Sequence, residues 1–261
     1  MTSSLDPPGG SAAIKWQTRT FGDLSELAQA RVQAINVAQW LVRIANSYVA
    51  AGTLERRTRL EFRPHTAAIV TGEFGKALAL EMRLPTLELQ FIENGQPVPH
   101  VFNPEEHSPA ELEAWLLVEL LHRGIDREVF SKELPYVIAG LISGDAEDYS
   151  PQLYGPGLVC LAAVMGDAAA VLKAAALSKA GDEVPVACLP QNLHLVGPSD
   201  SAAGSRSFAF SPGDAKSPEP FFYLYGGSSG ERGNLTINAS ALMAERDPAA
   251  AALKLEQLAL A

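Results

Sequence analysis

A long helix with almost no charge, a run of short strands and a proline-capped helix occur in that order twice along this chain, and the recurrence narrows the folds open to it more than any other feature. The first pass begins at Asp23-Leu-Ser-Glu26, which has the form of a capping box, and predicts a helix of about seven turns stopped by Gly52. Leu24, Leu27, Ile35, Ala38, Leu41, Val42, Ala45, Tyr48 and Val49 fall on one broad apolar face. Gln29, Gln33, Asn36, Arg43 and Ser47 form a narrow polar stripe with one charge. Such a stripe suits a helix covered on most sides, its amides half exposed or bonded to a neighbour. Strands are predicted over 58–63, 67–71, 77–83 and 87–92, the last closed by the hairpin pair Asn94-Gly95. Leu78, Leu80, Met82 and Leu84 alternate with Ala79, Glu81 and Arg83, so that strand is expected to bury one face only. Ser108-Pro-Ala-Glu111 is a second capping box, opening a helix that ends at Gly124 with Leu112, Trp115, Leu116 and Leu120 inward.

The second pass repeats this order: a long apolar helix over 156–180 stopped by Gly181, strands over 184–189, 193–196, 206–210 and 221–225, then an Ala/Leu-rich helix opened by Asp247-Pro248. Arg63-Pro-His-Thr-Ala-Ala-Ile-Val-Thr71 lies on Leu189-Pro-Gln-Asn-Leu-His-Leu-Val-Gly197 at an offset of 126. Leu84-Pro-Thr-Leu-Glu-Leu-Gln-Phe-Ile92 lies on Ser217-Pro-Glu-Pro-Phe-Phe-Tyr-Leu-Tyr225 at 133, and Gly52 on Gly181 at 129. Each match is weak alone, and an α+β chain offers such coincidences without a duplication. The expectation is an α+β protein of two similar αβββ(β)α halves with antiparallel sheets, a candidate internal duplication. Residues 1–20 read as a flexible tail, 21–145 as the N-terminal half and 146–261 as the C-terminal half, with the acidic, turn-rich 143–151 as linker.

Composition closes off several functions. The net charge is −10, and no segment gathers Lys and Arg into a stripe, so nucleic acid is not an expected partner. Cys160 and Cys188 have no CxxC spacing and no nearby His, so neither a zinc site nor a disulfide framework is indicated. The apolar stretch 158–177 carries Asp167 and Lys173 at its centre, costly in a bilayer, so no membrane association is expected. The first residues lack the basic and apolar regions of a signal peptide, and a cytoplasmic location follows as the expectation.

The most distinctive segment runs from Phe208 to Gly226. In Ser211-Pro-Gly-Asp214 the proline presets φ and the glycine supplies φ > 0, so the chain reverses directly after a strand. Pro218-Glu-Pro220 is then held extended, and Phe221–Tyr225 alternates two faces with Tyr223 and Tyr225 on one of them. Asp200, Asp214 and Glu219 can converge with His194 on a hard cation or act as an acid/base pair. Alternatively Asp214 bonds the turn backbone and Glu219 faces water. Tyr223 and Tyr225 can line an aromatic pocket or belong to a core. His65, His100, His107, His122 and His194 lack metal-ligand spacing within an element. Gly226-Gly-Ser-Ser-Gly-Glu-Arg-Gly233 leads into a strand rather than a helix, unlike a phosphate loop, and Ser211 is not in a Gly-x-Ser-x-Gly elbow.

The same segment resembles an uncharacterised bacterial protein family with a Trp-Pro-His-His-Phe-Asp stretch, a Ser-Pro-Gly-Asp turn, Glu-Pro-Tyr-Phe-Tyr and an upstream Gln-Trp helix. Here the counterparts are Ser211–Asp214, Glu219–Tyr223 and Gln39-Trp40, while Gln191-Asn192-Leu193-His194 stands where the family has His-His-Phe-Asp. The resemblance implies no activity and no cofactor.

Three functions stay open. The first is binding of a small-molecule ligand in a cleft between the halves, lined by Ser211, Asp214, Glu219, Tyr223, Tyr225 and His194. The second is a metal-assisted hydrolytic enzyme using Asp214, Glu219 and His194. The third is an interaction module, for example a homodimer, burying the uncharged helix face and the aromatic strand.

Overall fold

The computed structural model describes residues 21–50, 58–177, 185–198, 206–226 and 232–260. The expected tail 1–20, the helix stops at Gly52 and Gly181, and Asp200 lie outside the described residues. Helix α1 (Leu24–Tyr48) leads into five strands, β1 (Leu60–Arg63), β2 (Ala68–Val70), β3 (Leu78–Arg83), β4 (Leu89–Glu93) and β5 (Gln96–Phe102), and then α2 (Pro109–His122). Helix α3 (Gly155–Leu177) precedes β6 (Val186–Leu189), β7 (His194–Val196), β8 (Arg206–Ser211), β9 (Phe221–Gly226) and β10 (Arg232–Asn238), followed by α4 (Ala239–Met243) and α5 (Pro248–Leu260). The protein is thus α+β, with each half contributing five strands rather than the three or four expected.

The expected separate sheets are one. All ten strands form a single antiparallel sheet in the order β10-β9-β8-β7-β6-β1-β2-β3-β4-β5, and β1 meets β6 at its centre with Leu60 opposite Cys188, Glu61 opposite Ala187 and Phe62 opposite Val186. The strand order reads outward from this seam in the same sequence on both sides. β6 and β7 begin 126 positions after β1 and β2, and the hairpin turns between them hold Ala67 and Leu193, also 126 apart, at φ 50° and 57°. At that offset Glu61 corresponds to Ala187, its own partner across the seam.

Helices α1 to α5 lie on one face of the sheet. Alternate strand residues, among them Leu60, Phe62, Leu80, Met82, Phe91, Cys188, Leu195, Phe210 and Phe222, join residues of α1, α2, α3, α4 and α5 in one continuous core. The apolar window of α3, long enough to suggest a membrane span by composition, is 67% buried here, and this core is where its side chains go. It packs closely on α1 through Gly157, where an added Cβ would come within 2.8 Å of the Glu26 carbonyl oxygen and 2.9 Å of the Ala30 methyl.

The opposite face carries strand residues only among the described clusters: Ala68, Val70, Ala79 and Ile92 on one half, Leu189, Val196, Ala209, Phe221 and Tyr223 on the other. Strand β3 is therefore buried on both faces, against expectation. Glu81 is only 4% exposed because Arg63 and Arg83, at 4.0 and 3.5 Å, close over it, the first reaching across β2 from β1 and the second from its own strand. Strand β5 was not expected at all. Its Pro97 and Pro99 lack the N–H groups a strand needs for further pairing, so the sheet is closed to extension along this edge.

Local capping follows the sequence at one helix and departs from it at another. Ser108 and Glu111 form the complete box, with Ser108 Oγ accepting from Glu111 N at 3.3 Å and Glu111 Oε2 from Ser108 N at 2.8 Å. Asp23 instead accepts from Ser25 N at 2.7 Å, one residue short of the box geometry.

Residues 126–142, between α2 and the linker, form a strap that runs back along α1 from its C-terminal end. Its contacts are with the polar stripe: Tyr48 donates to the Asp126 carbonyl, Ser131 N donates to Ser47 Oγ, Arg43 Nε donates to the Lys132 carbonyl and Ile142 N donates to Asn36 Oδ1, each at 2.9 Å. The charge-poor stripe is the track on which this irregular segment is held, which satisfies backbone groups that no sheet or helix serves.

Candidate functional site

A recess of about 200 Å³ opens at one end of the seam, lined by Thr58, Arg59, Pro135, Tyr136, Leu189, Pro190 and Gln191. Three parts of the chain meet there. Thr58 and Arg59 precede β1, Leu189 to Gln191 form the turn after β6, and Pro135 and Tyr136 belong to the strap. Because β1 and β6 pair antiparallel, the entry to one strand lies beside the exit of the other, and the recess contains residues of both halves.

Gln39 ties two of these parts, the turn and the strap, to α1. It is fully buried on α1, donates from Nε2 to the Ile35 carbonyl at 2.8 Å and the Pro190 carbonyl at 3.0 Å, and accepts the Tyr136 hydroxyl on Oε1 at 2.9 Å. One amide thus fixes the floor of the turn and the orientation of the tyrosine wall. Burial pushes the Tyr136 phenol well above its ordinary pKa, with neighbouring Cys188 acting the same way and Arg43 opposing, so the hydroxyl remains a donor at neutral pH. Cys188, buried beneath the seam, is raised by desolvation alone and stays a thiol.

One turn along α1, Arg43 lies 4.2 Å above the Trp40 ring, and Trp40 Nε1 donates to the Tyr149 hydroxyl at 2.8 Å. Burial raises Tyr149 to about 12, with the Trp40 hydrogen bond and the Arg43 charge pulling the other way. Desolvation lowers Arg43 from its ordinary value. This layer backs the strap and keeps Pro135 and Tyr136 in place.

The residues singled out from sequence are placed as follows. His194 and Tyr223 come together: His194 Nδ1 is 2.8 Å from the Tyr223 hydroxyl and the rings meet edge to face with centroids 5.5 Å apart. They share the helix-free face with Leu189, which pairs with His194 across β6 and β7 and also lines the recess. Ser211 is buried at the end of β8, where its hydroxyl accepts from Gly213 N at 3.2 Å. Asp214 closes the turn, accepting on Oδ1 from Lys216 N at 2.8 Å and Ser217 N at 2.7 Å, while Arg31 of α1 donates to the Pro212 carbonyl. Glu219 accepts from Asn238 Nδ2 at 2.9 Å and from the Ser240 hydroxyl. Tyr225 pairs through its backbone with Ser207, and its side chain lies outside the described residues. Among the described residues no three His, Cys, Asp or Glu side chains form a group able to hold a metal ion.

Sequence reasoning missed Thr58, Arg59, Pro135, Tyr136 and Pro190. Two signals point to them: the twin Leu134-Pro135-Tyr136 and Leu189-Pro190-Gln191 turns, and Gln39, which continues the polar stripe three positions from Asn36 and four from Arg43. Gln39 thus also bonds the turn that leads to His194. No protein-family model, curated protein or solved structure matches the chain.

Proposed function

We propose that this protein binds a small molecule in the recess at the end of the seam, between two halves that are copies of one α-β-α unit. The observation that carries the binding reading is the convergence of both halves and the strap on one recess whose floor and wall are fixed by a single buried amide, Gln39. Pre-formed concave sites with apolar walls and a few convergent polar groups are the usual form of small-molecule sites. The duplication reading is supported by the offset of 126 shared by two strands and by the left-handed residues of their turns. Pseudo-twofold halves place a cleft at their junction, and the recess is at the junction.

A thermal-shift screen of the full chain against a metabolite library tests the binding reading. A ligand at 100 times its Kd adds about 2.7 kcal/mol of stability, which for a protein of this size raises Tm by roughly 5–10 °C. Gln191→Trp, at an exposed rim position, fills the recess and abolishes the shift without altering the melting of the free protein by more than about a degree. No ligand-induced shift across the library, or one indifferent to Gln191→Trp, overturns the reading.

A further inference from the structure

The geometry points to a lid: residues 134–141 of the strap wall the recess in the observed state and lift away from it on hinges at Phe130 and Ile142, released by one bond, Tyr136 to Gln39. The inference goes beyond the binding reading, since the motion belongs to the strap whether or not a ligand enters. The two ends of the strap are fixed. Phe130 and Ile142 pack against the core, and the anchors beside them join backbone to α1: Ser131 N to Ser47 Oγ, the Lys132 carbonyl to Arg43 Nε and Ile142 N to Asn36 Oδ1. Between these anchors Leu134, Ile138 and Leu141 are half-buried outside the core, and Val137 is 98% exposed. No backbone group from Leu134 to Leu141 bonds to another element among the described residues, and the local turn at Ala139-Gly140 holds Gly140 at φ 73°. Among the described residues, the hydroxyl of Tyr136, 2.9 Å from Gln39 Oε1, makes the one hydrogen bond that holds this stretch to α1.

What the strap covers is already polar. Asn36, Gln39 and Arg43 are buried beneath it although each carries an amide or a charge. When residues 134–141 lift, water takes the place of Tyr136 as the partner of Gln39, and little apolar area is newly exposed. Opening therefore costs far less than unfolding and is nearly independent of denaturant. Pro135 and Tyr136 leave with the lid, so the recess loses a wall and its mouth widens, which is the way lids commonly control entry to an enclosed site.

Chymotrypsin reads the latch directly, because it cleaves after tyrosine and phenylalanine alike and needs several residues of extended chain lifted from the surface. The full chain is digested at low enzyme concentration with urea raised in steps below the global transition, and the nick between Tyr136 and Val137 is timed by mass spectrometry. The nick is expected at a rate flat in urea, about tenfold faster in Tyr136→Phe, and unchanged in Val171→Ala, a truncation in the core that lowers global stability. Phenylalanine keeps the cleavage site and loses only the bond to Gln39. A nick whose rate climbs with urea in step with global unfolding overturns the lid. So does a nick equally fast in Tyr136→Phe and the unaltered chain, one accelerated as much by Val171→Ala, or no nick at all. Circular dichroism melts check the folding of both variants, and the urea dependence of the unaltered chain decides the matter if a variant does not fold. No ligand enters this test, so its failure leaves the binding reading to the thermal-shift screen.

Discussion

Gln39 is the residue on which most of the site depends, because three backbone or side-chain groups from three segments end on its amide. Gln39→Ala leaves the Pro190 carbonyl and the Tyr136 hydroxyl without this partner in a buried place, a loss of about 2–3 kcal/mol. Urea denaturation reads it as a lower midpoint at unchanged slope, and Tyr136→Phe in the same background adds less than its effect alone because the two share one bond. Tyr149 is one of the groups that give the response to alkali. Its folded-state pKa, about 12, lies above the ordinary value of 10, so the stability it contributes is fully present below about pH 10 and is lost as pH rises through 12. Tyr149→Phe costs about 1 kcal/mol at neutral pH through the lost Trp40 bond, and flattens the fall in stability between pH 10 and 12, measured by urea midpoints across that range. Tyr48, also raised to about 12 by burial and by Asp126, keeps part of the slope, as do Tyr136 and Cys188, which burial raises as well.

The elements were legible in the chain to the extent that their signals are local. Ser108-Pro-Ala-Glu111 announces α2 because its four residues satisfy one another, and the alternation around Leu80 announces β3. The burial of Glu81 was not legible, since it depends on Arg63 reaching across β2 from β1. The strap was not legible either: its sequence has neither period, and only the amide stripe on α1 hints that something must bond there. β5 escaped because Pro97 and Pro99 argue against a strand, yet an edge strand can leave their missing N–H groups on its open side. That placement gives a prediction for the element. Replacing both prolines with valine restores two donors to a free edge, and light scattering detects concentration-dependent association that the unaltered chain does not show.

On the scale of the whole molecule, the seam makes one folding unit of two halves. β1 and β6 are each interior strands only because the other is present, and the core beneath the sheet runs through both halves. Unfolding is expected to be a single transition. The chain offers an internal check, since Trp40 and Trp115 belong to the N-terminal half, Trp16 precedes it and the C-terminal half has no tryptophan. Tryptophan fluorescence follows that half, far-ultraviolet circular dichroism follows the whole, and the two urea curves superimpose; separate midpoints mean that the halves unfold independently. The site residues were the least legible part, because Arg59, Tyr136 and Pro190 are brought together by antiparallel pairing across more than a hundred residues and by an irregular segment with no pattern of its own. The strap has one further consequence. A seam between matched halves has two ends, and at the far one Arg63, Pro64 and His65 stand 126 positions before Leu189, Pro190 and Gln191. The strap, however, lies at the Pro190 end, and at the same offset along α3 the residue in the place of Gln39 is Met165, which has no amide to hold a second wall. The recess is thereby confined to one end of the seam, and calorimetric titration is expected to saturate at one ligand per chain, not two.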